Sequence, residues 1–354
     1  MLGMLNNQCY FDYFFITNIP AFYKSNLYNE LAKKLKIKVI YISEKSIIRN
    51  NDFVSGFRNF EYEVITTKPY ENRNKLSVFY KIIKVLLTHR YDRVVFPGWE
   101  SKELIPLFFL SDRKKNSVII ESSIYDTKSS GLSWIIKKIL ISRVSLAFPS
   151  GILQLEILKK ADYKGRYSIT NGVGLLPRSN IKYRTKKGDS IKYLYVGRLS
   201  HEKNVEFIIE RFNSLERSLT IIGEGPQKEY LQKIANRNVI FLGYVNNQEL
   251  LDLYSEYDVF VLPSRSEPWG LVIDEALSSG LPVIVSNKVG CSEDLVINPR
   301  LGLVFECDKP SSFIKAIYKL EDDYSSYKER VLKFNFKHHD EKQITAYLSQ
   351  GEFL

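Results

Sequence analysis

Two short stretches in the second half of the chain concentrate residue types that handle charge. In VGRLSHEKN, residues 196–204, an apolar run ends at Gly197, and Arg198 and Lys203 follow within the turn. Two cations beside a strand end suit a diphosphate: the guanidinium grips it as a bidentate fork, the ammonium as a compact point charge. In PSRSEPWGLVIDEALSSGLPVIVS, residues 263–286, a loop carries Ser264, Glu267 and Trp269 up to Gly270, where a helical pattern opens. A helix start offers unpaired backbone N–H groups and about half a positive charge, and glycine lets a phosphate come close. Glu267 and Glu275 stand eight positions apart, a span of about 12 Å along a helix. That is far from the ~5 Å carboxylate pair of a retaining hydrolase. It suits a ligand with separated parts, such as a sugar at one end and a nucleoside at the other.

Other chemistry-bearing patterns are incomplete. Gly223 and Gly225 begin a dinucleotide fingerprint, but Lys228 stands where the third glycine belongs, so IGEGP reads as a tight turn supporting the cleft. His201-Glu202 opens like a zinc helix, yet Val205 replaces the second His. His338-His339 reads as a solvated helix start and His89 as structural. Cys9, Cys291 and Cys307 lack metal-type spacing, and such sparse cysteine fits a reducing cytoplasm.

Elements must hold these residues in place. Apolar runs predict strands at 11–17, 38–42, 93–97, 117–121, 145–149 and 166–170, with helices near 24–36, 76–89, 100–110, 131–143 and 151–160. The second half repeats the scheme with strands at 191–196, 219–223, 239–243, 258–263, 282–286 and 301–305. Helices there are expected at 204–214, 226–236, 247–256, 270–279 and 310–320. Alternating strand and helix at this spacing means α/β, a parallel sheet covered on both faces. Two such sets give two facing Rossmann-like domains, 1–171 and 191–335, around a turn-rich hinge at 172–190. A last helix within 336–354 has no sheet of its own left to complete, which sends it back to the first domain. Ligands bind at the carboxyl ends of such strands, so the site belongs in the cleft between the two sheets.

The charge is lopsided. Of the 354 residues, the first 171 hold 27 Lys and Arg against 15 Asp and Glu, and the remainder 24 against 25; the whole surplus of +11 therefore lies in the first half. Nucleic acid, an anionic membrane surface or simply a scattered solvated surface would explain it, and no nucleic-acid-binding module is recognisable. The helix GLSWIIKKILISR, 131–143, sets Trp134, Ile135, Ile136, Ile139 and Leu140 beside Lys137, Lys138 and Arg143. Such a segment suits a membrane interface, or equally a core-facing helix with snorkelling lysines. No apolar run approaches the ~18 residues of a membrane span, and the N-terminus lacks the basic start of a signal peptide.

GRLSHEKN (197–204), IGEGP (222–226), FLGYV (241–245), PSRSEPWGLVIDEAL (263–277) and GLPVIVSNKVGCSEDL (280–295) resemble the retaining glycosyltransferases of family four, which have the two-domain GT-B architecture. NGV at 171–173 matches the usual interdomain strand end, and the first half matches loosely, through strand order and TNIPAFYKSNLYNELAKKL (17–35). The resemblance implies that Arg198 and Lys203 hold the donor diphosphate and stabilise the leaving group. It gives Glu267 the donor sugar hydroxyls, the N–H groups of Gly270, Leu271 and Val272 the distal phosphate, and Glu275 the ribose. Gly197, Tyr244 and Ser264 would shape the same donor site. Transfer would retain anomeric configuration, with no cofactor and no metal; consistently, no Asp-x-Asp occurs in the chain. The sequence departs from the family in two places. Many relatives carry a first-domain His facing the donor sugar; the corresponding strand end here is ESSIYD, so that Glu121, Ser122 and Asp126 are the acceptor-side candidates. Gly174 also follows NGV where an Asp is usual.

The leading expectation is an enzyme that moves a sugar from a nucleoside-diphosphate donor such as a UDP-sugar to a glycan or lipid-linked acceptor. Surface polysaccharide or lipopolysaccharide assembly, in the cytoplasm or at the cytoplasmic face of the inner membrane, is the setting. A sugar-nucleotide epimerase of the same fold and a non-catalytic sugar-nucleotide-binding subunit are the alternatives.

Overall fold

The computed structural model describes residues 10–54, 56–177, 190–349 and 351–354. The first part of the chain runs β1 (Tyr10–Thr17), α1 (Phe22–Ala32), β2 (Ile37–Ser43), β3 (Glu61–Thr66), α2 (Lys75–Thr88), β4 (Arg90–Phe96), α3 (Leu107–Leu110), β5 (Asn116–Ile120), α4 (Gly131–Ser142), β6 (Leu146–Pro149), α5 (Ile152–Lys160) and β7 (Arg166–Tyr167). The second runs β8 (Lys192–Val196), α6 (Val205–Leu215), β9 (Ser218–Ile222), α7 (Lys228–Ile234), β10 (Val239–Gly243), α8 (Asn247–Tyr254), β11 (Val259–Leu262), α9 (Leu271–Ser278), β12 (Val283–Ser286), β13 (Gly302–Phe305), α10 (Pro310–Asp322) and α11 (Tyr324–Lys333). The chain then closes with α12 (Phe336–Leu348) and β14 (Glu352–Phe353).

The second sheet has the order β10-β9-β8-β11-β12-β13, with every pair parallel. Counted from its own first strand this is 3-2-1-4-5-6, the doubly wound Rossmann order. The chain leaves β8 in one direction and β11 in the other, so a crevice opens between their carboxyl ends. The first sheet repeats the order as β3-β2-β1-β4-β5-β6-β7, with β14 added antiparallel to β7. Its switch point lies between β1 and β4.

Each sheet is covered on both faces because its strands are apolar on both. β2, IKVIYIS, is buried along its whole length, the run expected of a central parallel strand. On one face of the first sheet Val78, Ile82, Leu107, Leu140, Ile157 and their neighbours pack α2 to α5; on the other Leu27, Leu31, Ile344 and Tyr347 pack α1 and α12. In α6, Val205, Ile208, Ile209 and Phe212 are buried at helical spacing and aim one stripe at the second core.

The return of the last helix is real. Tyr347 packs against Phe15 and Phe148 of the first sheet, and the Tyr13 hydroxyl donates to the Tyr347 carbonyl at 2.9 Å. Most of the expected hinge, 178–189, lies outside the described residues, as does Cys9. Cys291 is buried and free.

Three local expectations are corrected. The helix expected over 100–110 is a 3₁₀ turn at Lys102–Leu104 followed by the single turn α3, because Pro106 has no N–H to continue a longer helix. The strand expected over 166–170 pairs formally only at Arg166–Tyr167, although the Ser168 and Thr170 amides still donate to Ala147 and Pro149. β3 and α11 are additions: β3 is an edge strand whose Glu61 is exposed, so its pattern lacks the apolar run of its neighbours. Among the described residues no helix is long and apolar enough to cross a membrane.

Candidate functional site

The β8 loop and the β11 loop meet at the second switch point. The Lys203 ammonium donates to Glu267 Oε2, and Ser264 Oγ lies 3.3 Å from the same oxygen. The sequence sets this up locally. After β8 the chain makes a 3₁₀ turn, His201–Lys203, and Asn204 takes the left-handed conformation, φ 56°, to enter α6. Its side-chain amide then donates to Pro263 O at 3.1 Å and to Asp308 at 3.2 Å, tying the two loops together. Arg265 forks onto Asp308, and its amide donates to Glu202 O at 2.8 Å. Arg198 is exposed and forms no ion pair among the described residues, which leaves its guanidinium available to a ligand.

The glycines around this corner are required by close approach. A Cβ on Gly223 would stand 2.0 Å from the carbonyl oxygen of Gly197, and one on Gly225 2.3 Å from that of Leu199. IGEGP is therefore the turn that backs the β8 loop. Gly270 caps α9 at φ 101°, where a side chain would press on Val289. The amides of Leu271 and Val272 open that helix, without intrahelical acceptors. Further along α9, Glu275 accepts from the Tyr254 hydroxyl at 3.0 Å, and burial pushes its carboxyl up to about 7. Gly197, Arg198, Lys203, Ser264, Glu267, Gly270 and Glu275 thus belong to one corner of the second sheet. Tyr244 stands apart from it, beyond the end of β10, half-exposed, its hydroxyl donating to Asp52 of the first domain at 2.7 Å.

Across the cleft the first switch point carries a pocket lined by Asn18, Lys24, Trp99, Glu100, Glu121 and Ser122. Lys24 pairs with Glu121 at 2.7 Å. Burial works against the Lys24 charge, but the neighbouring carboxylate outweighs it and holds the ammonium well above its ordinary value. Of the three acceptor-side candidates, Glu121 and Ser122 line this pocket, whereas Asp126 bridges Ser123 and Ser266 of the second domain. Asn18, Lys24 and Trp99 were not foreseen; their signal lay in the TNIPAFYK opening and in PGWE after a strand, both at sheet carboxyl ends.

Two further ties between the halves were also missed. Asp294 caps α5, accepting from the Ile152 amide at 3.3 and 3.1 Å through its two oxygens, and burial pushes its carboxyl up to about 6. The fully buried Gln154 donates to Pro268 O at 2.6 Å. His89 sits at the amino end of β4, its ring against Phe11 and Phe14, on the opposite edge from the cleft. Among the described residues no cluster of His, Cys, Asp and Glu is arranged for a metal.

Two Rossmann-type sheets with facing switch points, and a C-terminal helix returned to the first, define the GT-B architecture. HepE of Anabaena, solved in complex with UDP-glucose, shares this fold, with a TM-score of 0.66 and 16% identity over 96% of this chain and 99% of that one. Residues 178–334 match the family of glycosyl transferases group 1. An uncharacterized glycosyltransferase of Methanocaldococcus jannaschii is 36% identical over 38% of this chain and 37% of its own length. The O-antigen biosynthesis glycosyltransferase WbnH of Escherichia coli is 34% identical over 51% of each. These matches span about half or less of the curated relatives.

Proposed function

We propose that the protein transfers a sugar from a nucleoside-diphosphate donor to a hydroxyl of a glycan or lipid-linked acceptor, with retention of configuration and without a metal. The observation that carries this reading is the Lys203–Glu267 pair, two residues 64 positions apart, joined at the switch point beside the left-handed Gly270 cap. The transfer breaks the bond between the anomeric carbon and the distal phosphate oxygen and forms one to the acceptor oxygen. Charge then grows on the phosphate, where Arg198, Lys203 and the first amides of α9 would hold it in place of a cation. Glu267 would orient the sugar hydroxyls, and Glu275, in the second turn of α9, would accept from the ribose. The acceptor enters from the Lys24–Glu121 pocket.

HepE, with UDP-glucose, and WbnH, by its role in O-antigen biosynthesis, support a UDP-sugar donor and a surface-polysaccharide acceptor. The setting would be the cytoplasm, with the basic first domain at the inner face of the membrane. Nucleotide release from UDP-, GDP- and ADP-sugars with a membrane-glycolipid extract tests the proposal. Acceptor-dependent release of one nucleotide, lost in Glu267→Ala and in Lys203→Ala, is expected. Tight binding of one nucleotide with no turnover on any acceptor would leave a binding subunit instead.

A further inference from the structure

We infer that the helices covering one face of the first sheet form a docking surface for an anionic lipid bilayer. In α4, Leu132, Ile135, Ile136 and Ile139 recur at i, i+3, i+4 and i+7, the spacing by which a helix normally faces a core. Here the stripe faces solvent: these side chains are 74%, 55%, 43% and 47% exposed, and only Leu140 and Ile141 of the helix are buried. The same layer continues the pattern. α2 leaves Leu76, Tyr80 and Leu87 uncovered, and α3 leaves Phe109 and Leu110. Since α2, α3 and α4 all pack on the same face of the sheet, their outer sides look one way. The helices touch as well: Arg143, at the end of α4, lies over the Phe109 ring of α3, 5.7 Å from its centroid.

Charge selects the occupant. Between Glu71 and Asp92, a segment that includes all of α2, the chain has no acidic residue; nor has it one between Asp126 and Glu156, which includes all of α4. The cations there are Lys75, Lys81, Lys84, Lys128, Lys137, Lys138 and others. An apolar stripe bordered mainly by cations, with the acids Asp112 and Asp162 only at its margin, matches the boundary of an anionic bilayer, where apolar side chains enter the acyl region and lysines meet lipid headgroups. A protein interface would be expected to place some acids among the cations for register. The surface also adjoins the cleft. The Lys137 ammonium sits over Trp99, 5.5 Å from the ring centroid, and Trp99 lines the first-domain pocket. A molecule anchored in the bilayer would therefore reach that pocket from the side of α4.

The proposal rests on the packing of the first domain and not on the transfer reaction, so its test needs no turnover. The full chain is mixed with sedimentable vesicles, either pure phosphatidylcholine or equimolar phosphatidylcholine and phosphatidylglycerol. Recovery with the anionic vesicles, falling as salt rises, is expected. Leu132→Glu and Ile135→Glu should each lower the partition coefficient by about tenfold or more, because each removes an inserted side chain and adds a repelled charge. Ile240→Glu, at an exposed position on the second sheet's edge strand, should leave it unchanged. Thermal melts, the same in every variant, report that the fold is intact. Equal recovery on both vesicle types, or full recovery of the α4 variants, overturns the inference. So does a dimer of the wild type that Ile135→Glu dissociates, which would give the face to a second copy of this chain.

Discussion

Replacing Lys203 by Ala separates the ion pair it makes with Glu267 from the diphosphate contact proposed for it. Lys203 and Glu267 are 21% and 12% exposed at their side chains. Removing one partner of a fully buried pair costs about 3–5 kcal/mol, because a charge is left uncompensated. Partial exposure and the nearby Ser264 hydroxyl reduce this to about 1–3 kcal/mol, a fall of roughly 2–12 °C in Tm for a domain of this size. A charge-assisted contact to a diphosphate contributes a further term, about 1.5–3 kcal/mol, which appears only in binding. UDP affinity should therefore drop by roughly tenfold to a hundredfold. Calorimetric titration with UDP and a thermal melt of the free protein read the two effects separately. The double variant Lys203→Met/Glu267→Gln removes both charges, so it should recover most of the lost Tm and none of the lost affinity. If Lys203→Ala melts early yet binds UDP as the wild type does, Lys203 is only a counter-ion for Glu267 and the phosphate reasoning fails.

Glu275 should make stability fall as pH rises: its folded-state value, about 7, is above the ordinary value of 4.5, so the folded protein holds a proton the unfolded chain has lost, and the penalty develops between about pH 4.5 and 7. Glu275→Gln should remove that slope and raise stability above pH 7 by on the order of 2–3 kcal/mol; a denaturation series parallel to the wild type's would refute it. Asp294→Ala should cost about 1 kcal/mol of α5 capping and loosen the two halves, seen as a larger radius in solution X-ray scattering of the free protein and unchanged only if the cap does not hold the domains together. Gly223→Ala, whose new Cβ would meet the Gly197 carbonyl at 2.0 Å, should cost on the order of 3 kcal/mol or more and abolish UDP binding. Gly131→Ala, with nothing within 4 Å but a φ of 69°, should cost only about 1 kcal/mol of backbone strain and retain UDP binding.

The second domain was legible because its chemistry is local. A strand end, a turn and a helix start carry Gly197 to Lys203, and the same sequence of elements carries Ser264 to Glu275, so that spacing alone brings each group to the carboxyl edge. What spacing does not reveal is which edge residue meets which. That Lys203 lands on Glu267 depends on β8 lying beside β11, a neighbour relation set by the crossover and not by any run of residues. β3 escaped notice for a related reason: at a sheet edge Glu61 and Glu63 remain partly in water, and the strand loses the continuous apolar run that marks its neighbours. In α4 the spacing of the apolar residues was plain, but the side of the helix that meets the sheet could not be read from it. The structure buries Leu140 and Ile141 and turns the longer stripe outward.

The contacts between the halves were the least legible of all, and they decide what kind of cleft this is. The polar contacts that cross it come from loops or helix starts, among them Asp52 to Tyr244 and to the Asn247 amide, Asp126 to Ser266, Gln154 to Pro268 and Asp294 to Ile152. The Asp126–Ser266 and Gln154–Pro268 contacts grip the β11 loop on either side of Glu267. Displacement of the first domain is thus transmitted to the Glu267 carboxylate through at most one intervening residue. The Asp294 contact is held by a carboxyl whose value, about 6, lies well above the ordinary 3.8, which means its charged form is only partly compensated by the helix start it caps. A cleft joined in large part by such polar ties can open without exposing the core of either sheet. In the proposed transfer such a cleft would admit two substrates in turn and expel water when closed, with the Lys24–Glu121 pocket facing the corner that holds Lys203 and Glu267.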